Sequence, residues 1–201
     1  VGRFGEMAVF STMSGKHHAT GPQGGVVFTR DEGLYWRCRR FSDRGKPFNS
    51  PATSNVRAGL NLNGNDLAAA VGRVQLRRLP DIIRRRREVA ARLKEATDRC
   101  EAVRTGWEVA DTEGVYWFVR FGVNTDLLRT GKEQFARAVG AEGIPVTPSY
   151  RHIPSEAEWF RERRVFPPGD YPWGLPAYMG DRNATFPCPV AVEAAECHFT
   201  L

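Results

Sequence analysis

One lysine stands out in this sequence because of the loop that carries it. The segment FSTMSGKHHATGPQGGVVFT places Lys16 in a polar turn, with Ser11 before it and a Gly-Gly pair after it. Apolar runs on either side, Met7 to Phe10 and Val26 to Thr29, have the length and the β-branched or aromatic content of strands. The pattern therefore predicts a lysine presented from a loop between two buried strands.

The residue types in this loop suit the binding of a phosphate and a carbonyl compound. A lysine amine attacks an aldehyde only when it is neutral, and desolvated surroundings near apolar strands favour that form. The hydroxyl of Ser11 and nearby backbone N–H groups can hold a phosphate, and glycines let the backbone approach a ligand closely. The alternative is a solvated loop lysine, because a serine and a lysine at this spacing form a weak pattern when taken alone.

The segment resembles the lysine motif of the DegT/DnrJ/EryC1/StrS aminotransferases, in which F-S-x-x-x-x-K is followed by T-x-G-E-G-G. These are sugar and aminocyclitol aminotransferases of fold type I that use pyridoxal 5'-phosphate (PLP). The resemblance implies that Lys16 is the catalytic residue that carries PLP and that Ser11 holds the cofactor phosphate. Pro22 and Gln23 depart from the motif, and Gln23 stands where the family has glutamate.

A second segment, GLNLNGNDLAAAVGRVQLRRL from Gly59 to Leu79, resembles the family stretch G-x-N-Y-R-M-x-[DE]-[LI]-Q-A-A and the helix after it. The matching residues are Gly59, Asn61, Asp66, Leu67, Ala69, Ala70, Gln75, Leu76 and Leu79. The resemblance implies that Asn61 reaches the cofactor phosphate of a neighbouring subunit, so that a homodimer shares its active sites. Leu62, Asn63 and Gly64 depart from the pattern where the family has an aromatic residue, Arg and Met.

The same region predicts two helices. Asn65 or Asp66 is a suitable N-cap for the first helix. Its apolar face consists of Leu67, Ala70, Val71, Val74 and Leu79. The second helix is predicted to begin at Pro80, since proline is favoured in a first turn. Its apolar face consists of Ile83, Ala90, Leu93 and Ala96. The run of arginines in this helix is more typical of a solvated face than of a nucleic-acid site.

Beyond these helices, the pattern predicts strands at Trp107 to Ala110 and Val115 to Phe121 and a helix from Lys132 to about Val139. This order of elements is typical of an α+β domain and resembles the small C-terminal domain of the family. The family's tyrosine near Y-x-P-L-H then corresponds to Tyr150, and His152 is a second candidate for the substrate site. An ordinary loop histidine is the alternative for His152, because it does not align with the family's histidine.

The resemblance as a whole implies an α/β fold, that of the fold-type-I PLP-dependent transferases. Residues 1–79 are predicted to form the C-terminal portion of the large cofactor-binding domain, and residues 80–201 the small C-terminal α+β domain. We expect the chain to be part of a longer polypeptide, because the strand before the lysine loop stands at its start and CHFTL at its end is strand-like. The resemblance implies that the family's acid for the pyridine nitrogen and its ring-stacking residue lie upstream of Val1.

Composition sets limits on the remaining possibilities. The four cysteines contain no C-x-x-C pair, which favours free thiols in a reducing, cytoplasmic setting over a disulfide framework. A metal site built from Cys188, Cys197 and His198 is disfavoured, because no second paired motif accompanies these residues. The sequence shows no signal peptide and no apolar run of membrane length. Two long irregular loops are predicted, residues 43–58 and 166–189.

The expected function is the PLP-dependent transfer of an amino group from an amino acid, glutamate or glutamine, to a keto sugar or keto-cyclitol. The resemblance implies this reaction, and the lysine favours it over the dehydration performed by relatives that carry histidine in its place. Two alternatives remain open. One is a non-catalytic regulatory relative with the same fold, and the other is a basic nucleic-acid-binding protein, since the net charge is +6. We expect no nucleic-acid partner and no membrane partner.

Overall fold

The computed structural model describes residues 2–106, 109–166 and 168–201 and divides the chain into two compact units, Val1–Arg87 and Glu88–Leu201. The first unit contains strands β1 (Met7–Ser11) and β2 (Gly25–Thr29), helix α1 (Glu32–Ser42) and most of helix α2 (Asp66–Thr97). The second unit contains the end of α2, strands β3 (Val103–Thr105), β4 (Arg120–Val123) and β5 (His198–Thr200), and helices α3 (Lys132–Ala141), α4 (Glu158–Arg161) and α5 (Pro189–Glu196). Short 3-10 turns cover Thr125–Leu127 and Pro154–Glu156.

Strands β1 and β2 form the antiparallel hairpin that carries the lysine loop. Their register pairs Met7 with Thr29 and Ser11 with Gly25, which confirms both predicted strands. The prediction that these strands are buried is wrong, since Val9 at the centre of β1 is 75% exposed. A ladder of two strands leaves both of its faces open, so an apolar sequence in the strands does not by itself bury them.

Helix α1 is absent from the predictions above, although its start carries a clear local signal. Asp31 caps the helix, because its Oδ1 accepts a hydrogen bond of 2.6 Å from the N–H of Leu34. Glu32 lies in the first turn, and Arg39 and Arg40 lie in the last, where their charges complement the helix dipole. The helix leads into the irregular chain that precedes α2.

Helix α2 is one continuous helix of 32 residues with Pro80 inside it. The prediction that a separate helix begins at Pro80 is therefore wrong. An internal proline removes one backbone donor and crowds the preceding turn, but the leucines and arginines around it favour the helix, which continues through the site. The N-cap prediction is confirmed at Asn65, whose Oδ1 accepts from the N–H of Ala68 at 2.9 Å.

The N-terminal half of α2 exposes most of its predicted apolar face. Leu67 is 81% exposed, and Val71 and Val74 are also exposed. The helical period of these residues is confirmed, while most of the stripe is exposed, because burial depends on what packs against it. Farther along the helix, Ala90 is buried and Leu93 packs against the core of the second unit.

The second unit is built on a three-stranded antiparallel sheet in the order β3-β4-β5. Phe121 of β4 pairs with Phe199 of β5, and their rings stack with centres 5.0 Å apart. Val103 and Val123 form a cross-strand pair in the same core, and Ala136 of α3 is fully buried with them. The sheet and its helices give this unit an α+β arrangement.

Two predicted strands of this unit differ from the structure. Of Trp107 to Ala110, the first two residues lie outside the described residues, and the last two are not in a strand. The segment Val115 to Phe121 begins too early, since the strand is Arg120–Val123. Aromatic residues are common in strands, which is why the composition of this segment predicts one. The actual position of the strand depends on the pairing and burial of Phe121. The helix predicted from Lys132 is confirmed as α3.

The two long segments predicted as irregular contain no regular helix or strand in the residues described, 43–58, 166 and 168–188. In the first segment, the guanidinium of Arg40 donates to the carbonyls of Phe48 and Asn49, and the amide of Asn55 donates to Arg44 O. These bonds give the first loop a defined path. Among the described residues, none of the helices combines the length and the apolar character that crossing a membrane requires.

Candidate functional site

The lysine loop is closed at its base by two threonines, Thr12 and Thr20, which flank Lys16 symmetrically in the sequence. Their hydroxyl oxygens lie 2.7 Å apart, and the N–H of Thr20 donates to Thr12 O at 2.9 Å. The N–H of Thr12 donates to Gly24 O, and a Cβ at Gly24 would collide with both threonine hydroxyls. Thr12 is 3% exposed, so these hydrogen bonds are shielded from water. The two ends of the loop are therefore fixed.

Within the closed loop, Lys16 follows a tight turn. Its N–H donates to Met13 O at 2.9 Å, and the sulfur of Met13 accepts from the N–H of Gly15 at 3.0 Å. The lysine is half-buried. The structure thus confirms that Lys16 lies on a loop between two paired strands, while its role as the cofactor lysine stays a prediction.

Ser11 lies at the end of β1, opposite Gly25 in the hairpin register, and it is exposed. Its Oγ accepts a long hydrogen bond of 3.4 Å from the N–H of Met13. Since the oxygen is the acceptor in this bond, the hydroxyl proton can be donated to an anion. The type of group and its place at the strand end suit the phosphate contact, which stays a prediction.

The Asn61 segment, residues 59–63, is bound to the end of α1. The N–H groups of Leu60 and Leu62 donate to carbonyls at that helix end at 2.8 Å, and Asp43 and Asn61 form an antiparallel bridge. Asn61 is exposed, and its amide oxygen accepts from Nδ2 of Asn63 at 2.9 Å. An anion would be met by the amide nitrogen of Asn61, because only the nitrogen of the amide donates hydrogen bonds.

Asp43 is the polar centre that holds the Asn61 segment. Its side chain is 7% exposed. It accepts hydrogen bonds from Asn63 Nδ2 at 2.9 Å, Arg44 Nη2 at 2.7 Å and Lys46 Nζ at 3.0 Å. These donors, the amide of Asn63 foremost, hold the pKa of the Asp43 carboxyl well below its usual range. The carboxylate is therefore ionised at neutral pH, and all of its charged contacts are present there.

Tyr150 and His152 lie in the second unit, on the chain between α3 and α4, whereas Ser11, Lys16 and Asn61 lie in the first. Tyr150 is 54% exposed, and its ring centre is 6.1 Å from that of Phe118. His152 is exposed as well. The two predicted substrate residues therefore share one exposed segment.

Arg151 holds the segment that contains these two candidates. Its guanidinium donates two hydrogen bonds to the carboxylate of Glu156, at 2.9 and 2.6 Å, which is the bidentate geometry favoured by this pair of groups. The arginine holds the pKa of Glu156 below its usual value, chiefly through these hydrogen bonds. Both side chains are partly exposed, so the pair fixes the local chain path more than it contributes to overall stability.

Sequence reasoning missed the residues that shape the two loops. Thr12 and Thr20 stand at equal distances from the lysine, and this symmetry is visible in the sequence once a closed loop is considered. Asp43 stands in the run DRGK, where an acid beside two cations gives a weak signal of a local cluster. In the sequence, Asn63 is only a departure from the family pattern, whereas in the structure it links Asp43 to Asn61.

The structure does not assemble the metal site considered for the C-terminal cysteines and histidine. In the part of the chain that the structure describes, no group of three His, Cys, Asp or Glu side chains is placed to hold a metal ion. His198 Nδ1 lies 2.6 Å from Ala194 O, and Cys188 Sγ lies 3.5 Å from Ser155 Oγ. Both side chains therefore have protein partners.

The similarity to known proteins extends beyond these two loops to most of the chain. Residues 1–177 match the DegT/DnrJ/EryC1/StrS aminotransferase family. The chain belongs to this family. The match includes the lysine loop, the Asn61 segment and both candidate substrate residues. This family match confirms the predicted fold class, because the chain forms part of the α/β fold of the DegT/DnrJ/EryC1/StrS aminotransferases.

Two relatives are similar to this chain in sequence. GDP-perosamine synthase of Escherichia coli O157:H7 is 34% identical over 134 residues, which cover 67% of this chain and 34% of that protein. The dTDP-4-dehydro-2,3,6-trideoxy-D-glucose 4-aminotransferase of Saccharopolyspora spinosa is 41% identical over 100 residues, which cover 44% of this chain and 26% of that protein. The matched part of the chain therefore spans about a third or less of the length of these relatives.

A solved structure is similar to this chain in fold. The E. coli GDP-4-keto-6-deoxy-D-mannose-3-dehydratase with bound hydrated PLP superposes with a TM-score of 0.63 and 24% sequence identity. The superposition covers 74% of this chain and 41% of the dehydratase chain. This likeness supports the same fold for the two chains.

Proposed function

We propose that the protein transfers an amino group from an amino acid to a keto sugar, with PLP as its cofactor. The observation that carries this proposal is Lys16 on a closed loop, at the place where the family motif has its cofactor lysine. Membership of the aminotransferase family and the sugar names of two relatives support the reaction and its substrate class. The resemblance implies that family members with histidine at this position are dehydratases, so Lys16 supports transamination.

The residues predicted to bind the cofactor fit PLP in their chemistry. An aldehyde is held by an amine, which Lys16 supplies. A phosphate is held by donors, which the hydroxyl of Ser11 and the amide nitrogen of Asn61 supply. PLP in a solved structure of similar fold supports the same cofactor here. When bound, PLP supplies an electron sink for the negative charge that develops when a proton leaves the donor's α-carbon.

Lys16 has two roles in this proposal. Its Nζ is the amine that would hold the aldehyde group of PLP. The same Nζ would be the base that accepts a proton from the α-carbon of the donor and returns a proton during transfer to the acceptor. The closed loop keeps Nζ within reach for both transfers, because Thr12 and Thr20 fix the ends of the loop.

We propose glutamate or glutamine as the donor and a keto sugar or keto-cyclitol as the acceptor. The relatives' names, one with a GDP-linked sugar and one with a dTDP-linked sugar, support a nucleotide-linked acceptor. Tyr150 and His152 are the candidate contacts for the acceptor, because an exposed ring and an imidazole offer a flat apolar face and hydrogen-bonding groups to a sugar.

The proposal also assigns the domains. Residues 1–79 belong to the large cofactor-binding domain, and residues 80–201 belong to the smaller domain.

The proposed enzyme is a homodimer in which Asn61 of one subunit completes the site of the other. Exposed apolar side chains on the first unit support an assembly, because large exposed apolar patches are typical of interaction surfaces. They include Val9, Val27, Leu67, Val74 and Leu76.

The cysteines bear on the cellular compartment. All four are free thiols, which supports a reducing compartment such as the cytoplasm.

Reduction with borohydride tests the central assignment. When the protein is incubated with PLP and reduced, peptide mapping by mass spectrometry should find the cofactor on Lys16. Lys16→Ala should abolish this labelling, whereas Lys94→Ala, which removes an exposed amine paired with Asp98, should leave it unchanged. An adduct on Lys46, Lys94 or Lys132 instead would overturn the assignment. A protein with no cofactor absorbance would favour the non-catalytic relative.

A further inference from the structure

The lysine loop lies on helix α2 through two contacts at one residue, Gly72. His18 Nε2 is 3.1 Å from Gly72 O, and the histidine is the donor because a carbonyl oxygen only accepts. Thr20 lies over the same residue, since a Cβ built at Gly72 would be 2.9 Å from Thr20 Cγ2, closer than side-chain carbons normally approach. Gly72 is buried, and all three residues belong to the first unit.

Thr20 has little freedom to move away from an added methyl group. Its hydroxyl lies 2.7 Å from the hydroxyl of Thr12, and its N–H donates to Thr12 O. Rotation about the Cα–Cβ bond that moved Cγ2 aside would also carry the hydroxyl out of its hydrogen bond. A Cβ at position 72 therefore pushes on the base of the loop, and the turn that contains Lys16 moves with that base.

We propose that Gly72 is a positioning residue for Lys16. The absence of a side chain at Gly72 lets the base of the lysine loop lie directly on α2, and this contact sets where the lysine amine is held. A glycine inside a long helix is unfavourable compared with alanine, and close packing of the loop gives a physical reason for it here. The inference rests on the proposed role of Lys16. The contact between the loop and the helix is independent of that role.

A set of paired variants tests this proposal. Gly72→Ala adds the Cβ, Thr20→Ser removes the opposing methyl group but keeps the hydroxyl, and the double variant does both. Gly131→Ala is the matched control, because a Cβ at Gly131 meets nothing within 4 Å. For each protein, the PLP dissociation constant is measured by absorbance titration, and the exchange rate of the Thr20 amide is measured by NMR without cofactor.

We expect Gly72→Ala to raise the PLP dissociation constant by about 10- to 100-fold, as a small misplacement of a reactive group does, and to speed exchange at the Thr20 amide. Thr20→Ser and Gly131→Ala should stay within about threefold of the wild type. The double variant should return to the behaviour of Thr20→Ser, because the colliding methyl group is gone. Weakening of the helix does not explain such a pattern, since alanine is the better helix former.

Three results would overturn the proposal. The first is a Gly72→Ala protein with wild-type PLP affinity and wild-type exchange at Thr20. The second is a double variant that binds PLP no better than Gly72→Ala. The third is faster exchange with unchanged affinity, which would keep the contact but remove its role in positioning Lys16. If the wild-type protein does not bind PLP, the proposed function fails, while exchange at Thr20 still decides whether Gly72 holds the loop.

Discussion

At the scale of single residues, the three predicted cofactor contacts are attached to backbone of defined shape. The N–H of Lys16 is bonded to Met13 O, the hydroxyl of Ser11 accepts from the N–H of Met13, and the amide of Asn61 accepts from Asn63. A functional group on a fixed backbone loses less conformational freedom when it binds a ligand. These bonds therefore favour a site that is largely formed before the cofactor arrives.

Ser11→Ala is expected to weaken PLP binding by about 1 to 3 kcal/mol, the effect of losing one charge-assisted hydrogen bond to the phosphate. The dissociation constant from calorimetric titration is the measurement, and circular dichroism checks that the variant stays folded. Ser14→Ala is the control, because Ser14 belongs to the same loop and its hydroxyl donates only a weak bond of 3.4 Å to the Met13 sulfur. If Ser11→Ala binds PLP as tightly as the wild type, Ser11 is not part of the site.

At the scale of elements, the chain between α1 and α2 is irregular and yet held in place. Asp43 joins the two ends of this connection, since it accepts from Lys46 near its start and from Asn63 near its end. A carboxylate with little exposure is costly unless its oxygens are hydrogen-bonded, and here the bonds come from several donors. The chain between α1 and α2 therefore holds the Asn61 segment in place through its own hydrogen bonds.

Removing the carboxylate should release the Asn61 segment. In Asp43→Ala, the amides of Leu60 and Leu62 should exchange with solvent about tenfold faster, because the bonds that hold the segment are lost, and PLP should bind more weakly. Hydrogen-exchange mass spectrometry is the measurement. Asp98→Ala is the control, since it removes an exposed acid that pairs with Lys94 at the end of α2. Equal exchange in the two variants would contradict the role given to Asp43.

The depressed pKa of Asp43 fixes the direction of its pH effect. A carboxyl whose pKa is lowered by folding contributes stability above its unfolded pKa, and this contribution is lost as the pH falls through the folded value. The Asp43 contacts are therefore complete at neutral pH and weaken only in strong acid. The Asn61 segment is not expected to loosen between neutral and mildly acidic pH through this group.

At the scale of the whole molecule, the two units differ in how they bury apolar side chains. In the second unit, Phe121, Phe199 and Ala136 form a compact core. In the first unit, apolar side chains of the hairpin and of α2 are exposed, with Val9 at 75% and Leu67 at 81%. Exposure of this kind is typical of surfaces that another chain or subunit covers, which supports the proposed dimer with shared sites.

Mixing two inactive variants tests the shared site. Lys16→Ala and Asn61→Asp proteins, mixed under conditions of subunit exchange, should form hybrid dimers that contain one intact site. Random exchange makes half of the dimers hybrid, so activity should recover to about a quarter of the wild-type level. Transamination of the mixture is the measurement, and each variant alone is the control. No recovery despite demonstrated exchange, or a fully active monomer, would exclude a site completed by Asn61 of the partner.

The sequence by itself determined the features that depend on neighbouring residues. The strands around Lys16, the N-cap at Asn65 and the helix from Lys132 all follow from turn residues, capping side chains and periodicity, which act within a few positions. The family also follows from short motifs, because the lysine loop and the Asn61 segment keep their chemistry within a few residues. Tyr150 and His152 were placed by resemblance alone and stay predictions.

Only the tertiary structure decided the features that depend on distant residues. Helix α2 continues through Pro80, although the local rule predicts a start there. The contact of His18 with Gly72 joins residues 54 positions apart, and that of Asp43 with Asn63 spans 20. The predicted burial of the strands is wrong, because apolar residues become buried only where another element covers them. Local patterns specify the elements, whereas packing decides which of their faces meet.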